Sequence, residues 1–175
     1  MKAYSQMRLY KSCTVELPQK LERRKKMTVG SLCNRQVIVI QREETVLGAA
    51  KLMRQYHVGA VIVVEKQHNH QVPVGIVTDR DLVVEILATE LDETVITVGD
   101  IMASEIFTVN ENMPTHEAIE FMRRKTVRRL PVVDNSGELI GILTLDDALG
   151  ILSQELLDLA KLVRYEQRKE ERHRP

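Results

Sequence analysis

The feature that most constrains the fold is a short motif that the chain contains twice. Residues 74–81 read Val-Gly-Ile-Val-Thr-Asp-Arg-Asp, and residues 140–147 read Ile-Gly-Ile-Leu-Thr-Leu-Asp-Asp. Each copy predicts a buried strand that stops at a threonine, followed by a helix with an aspartate three residues after the threonine. A motif that occurs twice indicates an internal repeat, and a repeat decides the architecture of the whole chain.

The two motifs belong to a longer repeat. Thr28 and Thr97, which both begin a Thr-Val-Gly sequence, lie 69 positions apart, and this offset holds through the following helix. At the motif threonines, Thr78 and Thr144, the offset is 66, so the first copy holds three additional residues near 68–71. The apolar pattern of each copy predicts the order strand, helix, strand, strand, helix. We therefore expect an α+β fold of two tandem repeats, with a long C-terminal helix.

Two tandem copies of about sixty residues, each ending in Gly-x-x-Thr-x-x-Asp, resemble a pair of cystathionine-β-synthase (CBS) domains, the unit called a Bateman module. The resemblance runs from roughly Thr28 to Leu152 and is to stand-alone bacterial-type CBS domain proteins. It implies two repeats packed as a pseudo-twofold pair. The expected boundaries are a basic extension at 1–27, CBS domains at 28–92 and 93–153, and a helical tail at 154–175.

Composition and charge exclude several classes of protein. The two cysteines, Cys13 and Cys33, lie far apart, which fits a reducing cytoplasm and argues against a disulfide framework. Residues 1–26 hold eight Lys or Arg against two Glu, so the body of the formally neutral chain has a net charge of about −6. Nucleic-acid binding is therefore not expected. No apolar run reaches the twenty or so residues of a membrane span, so no membrane partner is expected either.

The Thr-x-x-Asp motif has two readings that do not exclude each other. In the structural reading, Thr78 and Thr144 cap helices while Asp81 and Asp147 reciprocate, and each cap contributes about 1 kcal/mol. In the functional reading, the helix amides and the threonine hydroxyl bind an anion, and the aspartate accepts hydrogen bonds from both hydroxyls of a ribose. The neighbouring apolar strands would supply flat walls for a base.

The resemblance implies that these positions bind an adenosyl ligand, such as AMP, ATP or S-adenosylmethionine, in the cleft between the repeats. The candidate ligand-binding residues are Ile38, Val58, Gly59, Ala60, Ile76, Thr78, Asp81, Val127, Arg128, Arg129, Pro131, Ile142, Thr144 and Asp147. The chain has no catalytic signature that joins a nucleophile to a histidine, so we assign no catalytic residue and expect no enzyme. We assign no metal site, because His68 and His70 lack further ligands nearby.

The repeats differ where discrimination between ligands would arise. Gly59 and Ala60 in the first copy align with Arg128 and Arg129 in the second. The resemblance implies that basic residues at this position reach the ligand phosphates, a task that suits an arginine fork. Alternatively, both arginines are solvated or paired, as part of a basic face that includes residues 123 and 124. If they bind, the cleft holds either a single charged nucleotide or two unequal sites.

The C-terminal helix carries a second surface feature. From Leu145 to Val163, leucine and valine recur at alternating intervals of four and three residues, which predicts an apolar seam. This seam packs either on its own repeat or against a second subunit or partner. Residues 164–175 are charged on all sides and are expected to fray.

The resemblance implies a regulatory, energy-sensing module that binds an adenosyl ligand and acts on a separate partner protein, with no catalytic cofactor. The resemblance further implies a homodimer. The alternative is a purely structural module that dimerises and holds another protein without any ligand.

Overall fold

The computed structural model of the protein describes residues 27–67, 70–103 and 105–173. It contains two three-stranded sheets of the same topology, one in each repeat. The strands are β1 (Val39–Gln41), β2 (Ala60–Gln67), β3 (His70–Thr78), β4 (Val109–Asn110), β5 (Arg129–Val133) and β6 (Leu139–Thr144). In each sheet the first strand pairs in parallel with the second, which pairs antiparallel with the third. The predicted α+β fold of two tandem repeats is confirmed.

Helices follow the strands as the apolar pattern predicts. They are α1 (Val46–Tyr56), α2 (Asp79–Asp81), α3 (Val98–Ile101), α4 (Thr115–Lys125) and α5 (Leu145–His173), with a 3₁₀ turn at Val29–Ser31 and a π-helix at Leu82–Leu87 that continues α2. α5 extends through His173, and the fraying expected from residue 164 stays a prediction. Among the described residues, no helix combines the length and the apolar character needed to cross a membrane.

The first repeat begins with an opening segment, residues 28–34, that packs on the second repeat rather than on its own. The amides of Val29 and Gly30 donate to the carbonyls of Met113 and Glu111, at 2.9 and 2.8 Å. The Val29 side chain is fully buried among core residues of the second repeat. These hydrogen bonds satisfy backbone donors that the short opening turn does not pair by itself.

The second repeat has a matching opening segment, residues 97–102, which packs on the first repeat. The amides of Val98 and Gly99 donate to the carbonyls of Glu44 and Arg42, at 2.8 and 2.9 Å. The Val98 side chain is fully buried in the core of the first repeat. Each hydrophobic core is therefore completed by a residue of the other repeat, so the two repeats form one folded unit.

The glycine of the repeated motif makes room for these exchanged segments. A Cβ placed on Gly141 would lie 2.6 Å from Sγ of Cys33, and one on Gly75 would lie 2.5 Å from Sδ of Met102. Both distances are shorter than heavy atoms tolerate in a packed interior. The motif glycine therefore has a packing role between the repeats, a role that sequence analysis does not assign to it.

Candidate functional site

Both copies of Thr-x-x-Asp form a closed capping box at a helix start. In the second copy, Oδ2 of Asp147 accepts hydrogen bonds from the amide and the hydroxyl of Thr144, at 2.8 and 2.7 Å. The Asp147 amide donates back to the Thr144 hydroxyl oxygen at 3.1 Å. Thr78 and Asp81 repeat this geometry in the first copy. The structural reading of the motif is therefore correct for both copies.

The capping boxes limit what the motif can do for an anion. Because each threonine hydroxyl gives its proton to the aspartate, it can only accept a further hydrogen bond. Neighbouring amides are used as well: Leu145 donates to the carbonyl of Arg128 at 2.9 Å, and Asp79 donates to the carbonyl of Gly59 at 3.2 Å. In this structure, internal hydrogen bonds therefore use the threonine hydroxyl and these amides of the expected anion site.

The two aspartates retain capacity for a ligand. The hydrogen bonds described at the side chains of Asp147 and Asp81 all use Oδ2. Oδ1 is then the oxygen with which either carboxylate can accept a hydrogen bond from a ribose hydroxyl. Capping and ligand binding therefore use different oxygens of the same carboxylate.

A cavity of about 250 Å³ lies between the two repeats, at the start of α5. It is lined by Asn34, Gln36, Val37, Ile38, Val58, Gly59, Ala60, Arg129, Ile142, Thr144, Asp146 and Asp147. The exchanged opening segment helps to form it, because Asn34 and Ile142 each donate an amide hydrogen bond to the other's carbonyl at 2.9 Å. The cavity therefore combines apolar walls, mostly from the first repeat, with the charged helix start of the second.

Eight of the fourteen candidate residues line this cavity. They are Ile38, Val58, Gly59, Ala60, Arg129, Ile142, Thr144 and Asp147. Thr78 and Asp81, at the first capping box, lie outside it. The remaining four candidates, Ile76, Val127, Pro131 and Arg128, also lie outside it. Ile76 pairs with Ile62 across the first sheet, Val127 packs against the second core, and Pro131 is buried in β5. The structure thus brings together the second motif and the first repeat's strand ends.

The two consecutive arginines have different surroundings. Arg129 is half-buried and lines the cavity, and its Nη2 lies 3.3 Å from the position that a Cβ would occupy on Gly59. Arg128 is exposed, while its carbonyl accepts the amide hydrogen bond from Leu145. The absence of a side chain at Gly59 therefore leaves room for the Arg129 guanidinium. Of the two arginines, Arg129 is therefore the one placed to contact a ligand in the cavity.

Four lining residues are missing from the sequence-based candidates: Asn34, Gln36, Val37 and Asp146. Asn34 ends the opening segment, and Gln36 and Val37 follow it. All three reach the cavity through the exchange between repeats, which one sequence does not reveal. Asp146 leaves a signal in the sequence, because it aligns with Arg80 of the first motif. The two copies differ in charge here and at the preceding position, where Asp79 aligns with Leu145, while the threonine and the final aspartate are the same in both.

Other reactive side chains of the described residues give no second site. Burial raises the pKa of the Cys33 thiol above its usual value, so this thiol stays protonated at neutral pH. No group of three or more His, Cys, Asp or Glu among the described residues could hold a metal ion. His70 is paired with Glu138 at 2.8 Å, across the two repeats. His68 and the basic extension up to residue 26 lie outside the described residues.

Comparison with known proteins identifies one family. The CBS domain profile matches residues 29–88 and 98–154. An uncharacterized protein of Methanopyrus kandleri is 37% identical over 125 residues, which cover 71% of this chain and 62% of that protein. A CBS domain-containing protein of Bacillus subtilis is 36% identical over 121 residues, which cover 69% of this chain and 82% of that protein. The chain thus spans less than two thirds of the Methanopyrus relative.

A solved structure of similar fold contains a nucleotide. The CBS domain protein from Pyrobaculum aerophilum complexed with AMP matches this chain with a TM-score of 0.63 and 28% sequence identity. The match covers 69% of this chain and 89% of that chain. In that relative the bound molecule is AMP.

Proposed function

This chain belongs to the CBS domain family, as a tandem pair of CBS domains, and on that premise we propose that it is a regulatory module that binds an adenosyl ligand in the cavity between its repeats. The candidate ligands are AMP, ATP and S-adenosylmethionine. The module acts on a separate partner protein, and its affinity for that partner changes when the ligand is bound.

The observation that carries this proposal is the chemistry of the cavity walls. Val37, Ile38 and Ile142 offer apolar contact to a base. Oδ1 of Asp147 can accept hydrogen bonds from ribose hydroxyls, and the guanidinium of Arg129 suits a phosphate. An adenine nucleotide presents these same three chemistries in one molecule. The AMP complex of the Pyrobaculum relative supports the assignment.

The size of the cavity favours a small nucleotide. Its volume of about 250 Å³ lies just below the roughly 300–1,000 Å³ of sites for drug-sized ligands. Arg129 is the one cation among the described residues that line it. We therefore rank AMP above ATP as the ligand.

Isothermal titration calorimetry with AMP, ADP, ATP, S-adenosylmethionine and NADH tests the proposal. We expect AMP to bind, and to bind about tenfold more weakly to Arg129→Ala, because a hydrogen bond to a charged group contributes about 1.5 kcal/mol or more. Adenosine lacks the phosphate and should bind equally to both proteins. The absence of heat and of a thermal shift with every one of these ligands would refute the adenosyl assignment.

An apolar groove beside α1, separate from the ligand cavity, supports a homodimer. Val83, Leu87 and Leu91 are 53%, 73% and 46% exposed, and they line an apolar groove of about 470 Å³ beside α1. Exposed apolar area concentrated in one patch is typical of an interaction surface. We expect light scattering to give twice the chain mass of 20.0 kDa, and Leu87→Glu to weaken the dimer about tenfold or more. Lys66→Glu, on β2 outside this groove, is the control. A monomeric wild-type protein at micromolar concentration would contradict this expectation.

The same exposed surface favours the alternative function, a structural module that dimerises and holds a partner without a ligand. Under this alternative, the double variant Asp81→Ala/Asp147→Ala keeps its affinity for the partner. A change in the affinity for the partner on addition of AMP would instead favour the regulatory module that binds a ligand.

A further inference from the structure

Asp146 places a second carboxylate at the ligand cavity. It is the second residue of α5, directly before Asp147, and it lines the cavity. Among the described lining residues, these two carboxylates face a single guanidinium, that of Arg129. The cavity lining therefore carries more negative than positive charge.

The matching position of the first motif has the opposite charge. Asp146 follows Thr144 by two residues, as Arg80 follows Thr78. Both residues are exposed at a helix start, and both helix starts have the same capping box. Since the local structure accepts either charge, the capping geometry does not require a carboxylate at position 146.

The helix start offers little compensation for an additional phosphate. The amides of Thr144, Leu145 and Asp147 donate hydrogen bonds within the protein, and the Thr144 hydroxyl donates to Asp147. A phosphate beyond the one that Arg129 neutralises would add negative charge to a cavity that the carboxylate of Asp146 also lines. Like charges placed close together in a cleft repel each other and lower the affinity.

We infer that Asp146 is a specificity-determining residue, which makes this cavity select adenosyl compounds with at most one phosphate over nucleoside di- and triphosphates. The inference rests on the proposed function, because it concerns the same cavity. The selected class contains adenosine, AMP and the sulfonium compound S-adenosylmethionine, whereas ADP and ATP are disfavoured.

Calorimetry on the full chain with adenosine, AMP and ATP, without Mg²⁺, tests this inference. The wild-type protein binds AMP more tightly than ATP. Asp146→Asn reduces that preference about fivefold, because one negative charge near the phosphates is removed. Asp146→Arg, which copies the first repeat, reduces the preference further. Adenosine binds equally to all three proteins because it carries no charge. A higher salt concentration narrows the differences, since salt screens exposed charges.

The matched control is Glu166→Gln, which removes the same charge from the distal part of α5, about 30 Å along the helix from Asp146. It leaves the preference for AMP unchanged, and thermal unfolding of each variant checks that it is folded. An unchanged preference in both Asp146 variants, with AMP still bound, overturns the inference and leaves the proposed function standing. If no adenosyl compound binds to the wild-type protein, both the inference about Asp146 and the proposed function are refuted.

Discussion

Gly141→Ala is expected to destabilise the protein by about 2 kcal/mol through overpacking, although alanine normally strengthens a strand relative to glycine. The new Cβ would lie 2.6 Å from Sγ of Cys33 and 3.1 Å from the carbonyl oxygen of Asn34. The sulfur can move aside, but the carbonyl belongs to the backbone pair that joins Asn34 to Ile142. Urea denaturation should report the loss as a lower midpoint at an unchanged slope.

Gly150→Ala provides the matched control, because no described atom beyond its chain neighbours and its own helix backbone lies within 4 Å of its Cβ position. Alanine there should raise the free energy of unfolding by about 1 kcal/mol, since glycine is a poor helix former. Adding Cys33→Ala to Gly141→Ala should recover about 1 kcal/mol, because it removes the nearest clashing atom. Equal stability of Gly141→Ala and the wild-type protein would mean that the opening segment does not lie this close to β6.

The strands and helices are predictable from the sequence because each element carries its own apolar pattern. β2 and β6 follow from runs of β-branched residues and leucine, and the helix starts follow from Thr78 and Thr144. The exchange of opening segments is not predictable in this way. Val29 and Val98 align with each other whichever repeat they pack on, so the alignment alone does not say that each valine completes the other repeat's core.

The residues of the candidate site are likewise predictable from the sequence only where a local signal identifies them. Thr144 and Asp147 are identified by a local motif, and Arg129 by a difference between two aligned copies. The segment at 34–37 has no such signal, because it reaches the cavity through the backbone pairing of Asn34 with Ile142. The two motifs also look equivalent in the sequence, whereas the cavity described here is lined by the second motif and not by Thr78. The lining of this cavity thus follows from the packing of the two repeats on each other and not from the motif alone.

Asp147→Ala is expected to weaken AMP binding about 30- to 100-fold. Oδ1 of Asp147 would accept hydrogen bonds from ribose hydroxyls, and bonds to charged groups contribute about 1.5–3 kcal/mol. A loss of about 2–3 kcal/mol corresponds to the expected factor in affinity. The variant also loses the capping box of α5, so its free energy of unfolding should fall by about 1 kcal/mol. Calorimetry measures the first effect and urea denaturation the second.

Asp81→Ala separates these two effects, because it removes the same capping hydrogen bonds in the first repeat but lies outside the described cavity. It should lose about 1 kcal/mol of stability and keep its affinity for AMP. An equal loss of affinity in both variants would contradict the assignment of the ligand to one cavity, since it would make both motifs necessary for binding. Unchanged affinity in Asp147→Ala would instead show that the carboxylate only caps α5, and the ribose would have to be held by other residues.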